Sequence, residues 1–181
     1  MSPALRSGLA LLAAVAFALG VAGWQAKLHW DTRNPAPDAV IQPGETVQLE
    51  GASFRLDTFV AAPRLPSNVP EEEWVVAPDG ALLVHVTITT EITDDDVDPS
   101  EHYCFATAVD AAEREWQTDT SVGYKVDGPA ATSCTGLFDD PIEPHEPLAV
   151  GFVFLVPADA VDTLVVDLSL GYRDPTLRLS R

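Results

Sequence analysis

The sequence predicts an all-β fold, a two-sheet antiparallel β-sandwich carried behind one apolar N-terminal helix. Three observations predict it. From residue 46 onward, short runs rich in Val, Ile, Leu, Phe and Thr alternate with Gly, Pro and Asp. After Trp30 no stretch shows the 3.6-residue apolar period of an amphipathic helix. Residues 7–26 contain no Asp, Glu, Lys or Arg.

Twenty uncharged residues in a helix extend about 30 Å, the thickness of a bilayer's hydrocarbon core. Arg6 precedes this stretch, and Trp24 and Trp30 stand where interfacial aromatic residues sit. The expected organisation is a short cytoplasmic start (1–6), a transmembrane anchor or signal segment (7–26), a Pro-rich linker (27–45) and a sandwich (46–181). The alternative is a cleaved signal peptide, with Ala16-Phe17-Ala18 as a small-x-small cleavage site. Apolar residues continue to Trp24, which a mature N-terminus does not need. Local charge barely orients the segment, because Arg6 and the amino terminus face Lys27 and Arg33. Two cysteines in the all-β part favour an oxidising compartment. The chain is therefore expected to be a single-pass protein of the cell membrane with its C-terminal domain extracytoplasmic, or a secreted one if the signal is cleaved.

Asn34-Pro35-Ala36-Pro37-Asp38 and Pro43-Gly44 read as a stiff tether. Residues 46–50 and 53–60 then flank Gly51-Ala52 as a hairpin. Residues 61–78 carry Pro63, Pro66, Pro70 and Pro78 and read as a long loop or irregular edge. Residues 81–92 have the clearest alternation. Leu82, Val84, Val86, Ile88 and Ile92 fall on one face, with His85, Thr87, Thr89 and Glu91 on the other. A further strand is expected over 102–110, with Cys104 opposite Tyr103 and Phe105, and a short one over 122–126. Residues 148–156 are almost continuously apolar and read as a central strand covered on both faces. Residues 163–171 close the domain, with Leu164, Val166, Leu168 and Leu170 on one face. About seven short strands with frequent turns describe an immunoglobulin-like sandwich.

This layout resembles the exported Ig-like domains of the DUF4352 / MPT63-like type, over roughly residues 46–171. The residues that carry the resemblance are the strand pair around Gly51, the alternation from Leu82 to Ile92 and the Cys104-Phe105 strand. The run Pro147-Leu-Ala-Val-Gly-Phe-Val-Phe-Leu-Val-Pro157, followed by Leu164 to Leu170, adds to them. One departure is Pro144-His145-Glu146, where that family has a Gly-Glu turn. The resemblance implies an Ig-like fold and no shared catalytic residues.

Charge narrows the function classes. The net charge is −18, and from residue 39 onward seven basic residues face 26 acidic ones. Such a surface repels phosphate backbones, so no nucleic-acid partner is expected. Cys104 and Cys134 are expected to form a disulfide, since no CxxC or neighbouring Cys/His set offers a metal site. The acidic run 94–101 is the candidate cation site. Asp94, Asp96 and Asp98 have EF-hand-like spacing for Ca²⁺, with Asp139 and Asp140 as further donors, but Pro99 occupies the glycine position and Phe105 the bidentate-glutamate position. His29, His85, His102 and His145 read as surface histidines, and Trp74 and Trp116 as core or rim packing. No GxSxG or phosphate-cradling glycine loop is present, and no catalysis or cofactor is expected.

The function expected from these features is a membrane-anchored extracytoplasmic binding module with a protein or cell-envelope partner. The alternatives are an accessory structural subunit of a membrane complex, or a Ca²⁺-dependent module using the 94–101 loop.

Overall fold

Thirteen strands run through the described residues, and nine of them make two facing sheets. The computed structural model describes residues 15–25, 27, 36–137, 140–171 and 175–181. In chain order the strands are β1 (Ala39–Ile41), β2 (Thr46–Leu49), β3 (Ala52–Ala62), β4 (Arg64–Pro66), β5 (Trp74–Val76), β6 (Ala81–Ile92) and β7 (Cys104–Val109). They continue as β8 (Glu115–Gln117), β9 (Gly136–Leu137), β10 (Asp140–Pro141), β11 (Leu148–Pro157), β12 (Val165–Leu170) and β13 (Pro175–Leu179). The helices are α1 (residues 15–25) and the single turn α2 (Thr120–Gly123).

The chain divides into an N-terminal unit ending at Ala36 and a second unit, Pro37–Arg181. In the first, α1 is 11 residues long. Its apolar side chains are exposed, with Phe17 at 75% and Leu19 at 69%. No helix among the described residues is long and apolar enough to cross a membrane. Residues 7–14 and 26 of the expected anchor, with His29 and Trp30 beyond it, lie outside the described residues.

The second unit is a β-sandwich. One sheet has the order β1-β13-β12-β7-β8 and the other β11-β6-β3-β2. The alternation read along residues 81–92 is what packs them together. Val84, Val86 and Ile88 are completely buried between the sheets, beside Phe54 and Leu56 of β3 and Val150, Phe154 and Val156 of β11. Ala106, Ala108, Val166, Leu168, Leu177 and Leu179 face them from the other sheet. Burying one such Phe or Leu stabilises the fold by about 1.5–3 kcal/mol.

Several elements depart from the sequence reading. The β2–β3 turn is Glu50-Gly51, one residue earlier than Gly51-Ala52, with φ of 50° and 78°. A two-residue hairpin whose strands keep their twist needs both central residues at positive φ. The sandwich begins at β1, inside the stretch expected as linker: β1 pairs in parallel with β13, and Ile41 is buried. Within residues 61–78, expected as a loop, β4 and β5 pair antiparallel. Leu65 and Val75 form a second small core with Leu83, Val126 and Val153 on the outer face of β6 and β11. Residues 122–126 hold the end of α2 and an isolated bridge, not a strand, because the Asp119 side chain caps the N–H groups of Ser121 and Val122. β11 is apolar on both faces as expected, but it is an edge strand. Its outer edge is covered by chain: the N–H of Gly151 donates to the Ala131 carbonyl, and the Val153 carbonyl accepts from Asp119 N–H.

Cys104 and Cys134 are disulfide-bonded with their Cα atoms 5.3 Å apart, and both are buried. The bond ties the start of β7 to the loop before β9 across 30 residues.

Candidate binding groove

The acidic run singled out in the sequence lies at one end of the sandwich, where β6 hands the chain to β7. Gly51 holds it there. Its carbonyl accepts from Thr93 N–H at 2.8 Å and Asp94 N–H at 3.0 Å. A Cβ placed on Gly51 would stand 2.6 Å from Val97 Cγ2 and 2.9 Å from Asp94 Cβ. Only glycine allows the hairpin turn and the acidic loop to approach so closely. A second clamp comes from the loop before β11, where His145 Nε2 lies 2.8 Å from Asp95 Oδ1 and His145 N–H donates to the Ile92 carbonyl.

Between the hairpin turn, this loop and the end of β12 runs a groove of about 810 Å³. Leu49, Val97 and Leu170 supply apolar lining, while Asp96, Asp98 and Glu101 supply carboxylates. No lysine or arginine lines it among the described residues. His102 also lines the groove and is only 9% exposed. Its ring stacks on Phe54 at 5.6 Å, and its Nε2 lies 3.1 Å from the hydroxyl of the fully buried Thr90. Burial lowers the His102 pKa from its ordinary value, which favours the neutral ring.

The candidate cation ligands do not converge. Asp94 Oδ1 accepts from Asp96 N–H, and Asp98 Oδ1 accepts from both the N–H and the hydroxyl of Ser100. Those hydrogen bonds lower the Asp98 pKa, the Ser100 hydroxyl contributing most. They close local turns and cap the 3₁₀ turn Pro99–Glu101. Among the described residues, no group of three or more His, Cys, Asp or Glu is placed to hold a metal ion. Asp139 lies outside the described residues, and Asp140 lies in β10, paired with Leu137.

Two histidines expected at the surface are partly or wholly inside. His102 closes the core as described. His85 lines a small cavity of about 60 Å³ with Asp119, Thr132 and Phe152 on the outer face of the β6–β11 pair. Gly128 and Gly151 leave room for its ring, since a Cβ on either would come within 2.7 Å and 3.4 Å of it. Burial lowers the His85 pKa, and the nearby charge of Asp127 partly offsets this. Trp74 is 39% exposed with the Arg64 guanidinium 4.7 Å from its ring centre, and Trp116 packs half-buried against the main core.

The sequence held one unused signal for this site. Thr90 occupies an inward position in an otherwise apolar face of β6, and a buried hydroxyl requires a partner. That partner, His102, is twelve residues away across the acidic loop.

The molecule is thus a two-sheet β-sandwich protein with a mixed apolar and acidic groove at one end. No protein-family model matches the chain, and no curated protein matches it significantly. Two solved structures are similar. One is an uncharacterized beta-sandwich protein from Clostridium difficile 630, 14% identical, with 80% of this chain and 93% of that chain covered and a TM-score of 0.49. The other is a conserved hypothetical protein from Bacillus anthracis, 10% identical, covering 70% and 87%, with a TM-score of 0.49.

Proposed function

We propose that the chain is an extracytoplasmic, Ig-like binding module of the DUF4352 / MPT63-like type, tethered to the cell membrane by its N-terminal apolar segment and without catalytic activity. The observation that carries this reading is the groove. Three loops brace a mixed apolar and acidic recess at the end of the sandwich, and ligand recognition is commonly placed on loops held by such a scaffold. The buried disulfide supports an oxidising compartment. The exposed apolar side chains of α1 support a tether, because such a helix needs lipid or another protein to cover it. Its partner is a protein or an envelope component, and the acidity of the domain disfavours nucleic acid.

Protease added to intact cells expressing the full chain tests this reading. The expected result is a membrane-associated protein whose sandwich is digested from outside while a short N-terminal remnant stays with the membrane. A sandwich protected until the membrane is permeabilised would overturn the location, and recovery of the whole chain in the medium would replace the tether with a cleaved signal.

A further inference from the structure

We propose that residues 126–134 are a strap over the outer edge of β11 that seats on an uncharged His85, and that protonation of this ring lifts the strap and bares the edge. The cavity beside His85 shares no lining residue with the groove, so the strap acts whether or not the groove binds a partner.

β11 lies at the edge of its sheet, and the backbone groups on that side need cover. The strap is fastened at three places. Val126 is buried in the second core and bridges Ser67, and the Asp127 N–H donates to the Pro66 carbonyl at 2.9 Å. Ala131 is buried, and its carbonyl accepts from the Gly151 N–H at 2.9 Å. Cys134 is held by its disulfide to Cys104. Between the first two fastenings, Gly128, Pro129 and Ala130 make no hydrogen bond among the described residues.

This unfastened span lies against His85. A Cβ on Gly128 would stand 2.7 Å from the ring's Cε1, and one on Gly151 would stand 3.4 Å from its Nε2. Val126 and Pro129 of the strap line the cavity of about 60 Å³ beside the ring, with Asp119, Gly123 and Gly151. His85 is itself half-buried and hydrogen-bonds to no described residue.

A charged ring in this place would need water or an anion. Two carboxylates are near. Asp119 lines the cavity, but its Oδ1 already accepts from the N–H groups of Ser121 and Val122 and from the Ser121 hydroxyl. Asp127 is exposed in the strap and acts on the ring only through its charge, which water screens. The flanking strands set Val60 of β3 and Val153 of β11 beside His85, and neither carries a charge. The Lys125 ammonium lies over the Tyr124 ring at 5.8 Å. Burial outweighs Asp127, so the seated strap holds the His85 pKa below its ordinary value. Lifting residues 128–130 lets water reach the ring and restores that value, so acid favours the lifted form. The Gly151–Ala131 hydrogen bond is then lost, and this part of the β11 edge is free to pair with another strand.

The test is amide exchange and histidine-ring titration by NMR on the full-length protein in detergent, from about pH 7.5 to 5, with the intrinsic pH dependence of exchange removed. The Gly151 amide is expected to lose at least about threefold in protection, with a midpoint that follows the His85 ring. The Val86 amide, in the middle of β6, is expected to change less. His85→Asn should abolish the Gly151 change, and His102→Asn should leave it in place. If His85→Asn does not fold, the two ring midpoints in the unmodified protein decide between the histidines. Unchanged Gly151 protection would overturn the proposal, and so would increased protection, which would make His85 and Asp127 a pair that tightens the strap. Equal losses at Gly151 and Val86 would also overturn it, as would a Gly151 change that follows His102 or survives in His85→Asn.

Discussion

Gly51 and Val97 are packed so closely that a β-carbon on the glycine would meet Val97 Cγ2 at 2.6 Å. This contact joins the β2–β3 turn to the acidic loop, and it sits at a backbone φ of 78°. Gly51→Ala is therefore expected to cost about 2–3 kcal/mol, from strain at positive φ together with overpacking. Gly80 provides the control. It has a φ of 82° but nothing within 4 Å of an added Cβ, so Gly80→Ala should cost only the backbone part, about 1 kcal/mol. Urea denaturation of the two variants measures the difference, and equal losses would show that the Val97 contact is unimportant.

The Cys104–Cys134 bond restrains the loop that carries Ala131 along the edge of β11. Replacing both cysteines by alanine is expected to remove about 3.5 kcal/mol, the chain-entropy value for a loop of this length. Because both sulfurs are buried, mild reductant should leave the folded protein bonded and act only as it unfolds. Denaturation curves with and without reductant, followed by thiol counting, check both statements.

Acid should weaken the fold in two steps. His102 and His85 have pKa values lowered by burial, for His85 against the opposing charge of Asp127. In the unfolded chain each takes up a proton near pH 6.5, while the folded protein resists until lower pH. The unfolded state then binds more protons, so stability falls as pH drops below about 6.5 and levels off beneath the lowered folded values. Asp98 and Asp119 act in a separate, more acidic window. The hydroxyls of Ser100 and Ser121 are the largest causes of their lowered values, and that stability is lost as pH falls below the ordinary aspartate range. Melting temperature measured from about pH 7.5 to 5 should decline, and His102→Asn should flatten the slope. A flat profile in the parent protein would contradict the burial of both rings.

Asp167 and Arg178 form a two-pronged pair across β12 and β13, with Arg178 Nε at 2.6 Å and Nη2 at 2.8 Å from the two carboxylate oxygens. Asp167 is 8% exposed, and the Arg178 guanidinium is its side-chain partner there. Arg178→Ala is expected to destabilise by about 3 kcal/mol, because it leaves a buried carboxylate unpaired. The double variant Asp167→Leu/Arg178→Leu should cost less than that single change. A double-mutant cycle by thermal unfolding decides it.

Local alternation made much of the fold legible. Residues 81–92 have one buried face, and β6 follows them residue for residue; the apolar run 148–156 is equally legible, and β11 adds only Pro157 to it. What escaped depends on distant partners. β1 is three residues between prolines, and it is a strand only because residues near the C-terminus, Leu177 to Leu179, pair with it. β13 itself has a readable alternation, Leu177-Arg178-Leu179, but it is short and begins with Pro175. β4 and β5 looked unfit as strands because of Pro66, which is tolerated in a two-stranded hairpin outside the main sheets. The acidic loop stood out as a place of interest from composition alone. Its chemistry did not, because Leu49, His102 and Leu170 reach the groove from three separate segments and nothing local announces that meeting.

If the chain is a binding module as proposed, the groove end of the sandwich is the surface that meets its partner. A photoreactive residue placed at Ser100, in the groove, or at Asp79, at the far end of β6, tests this in cells expressing the full chain. The expected result is one crosslinked protein captured from Ser100 and absent from Asp79. Capture of the same protein from Asp79 and not from Ser100 would contradict it.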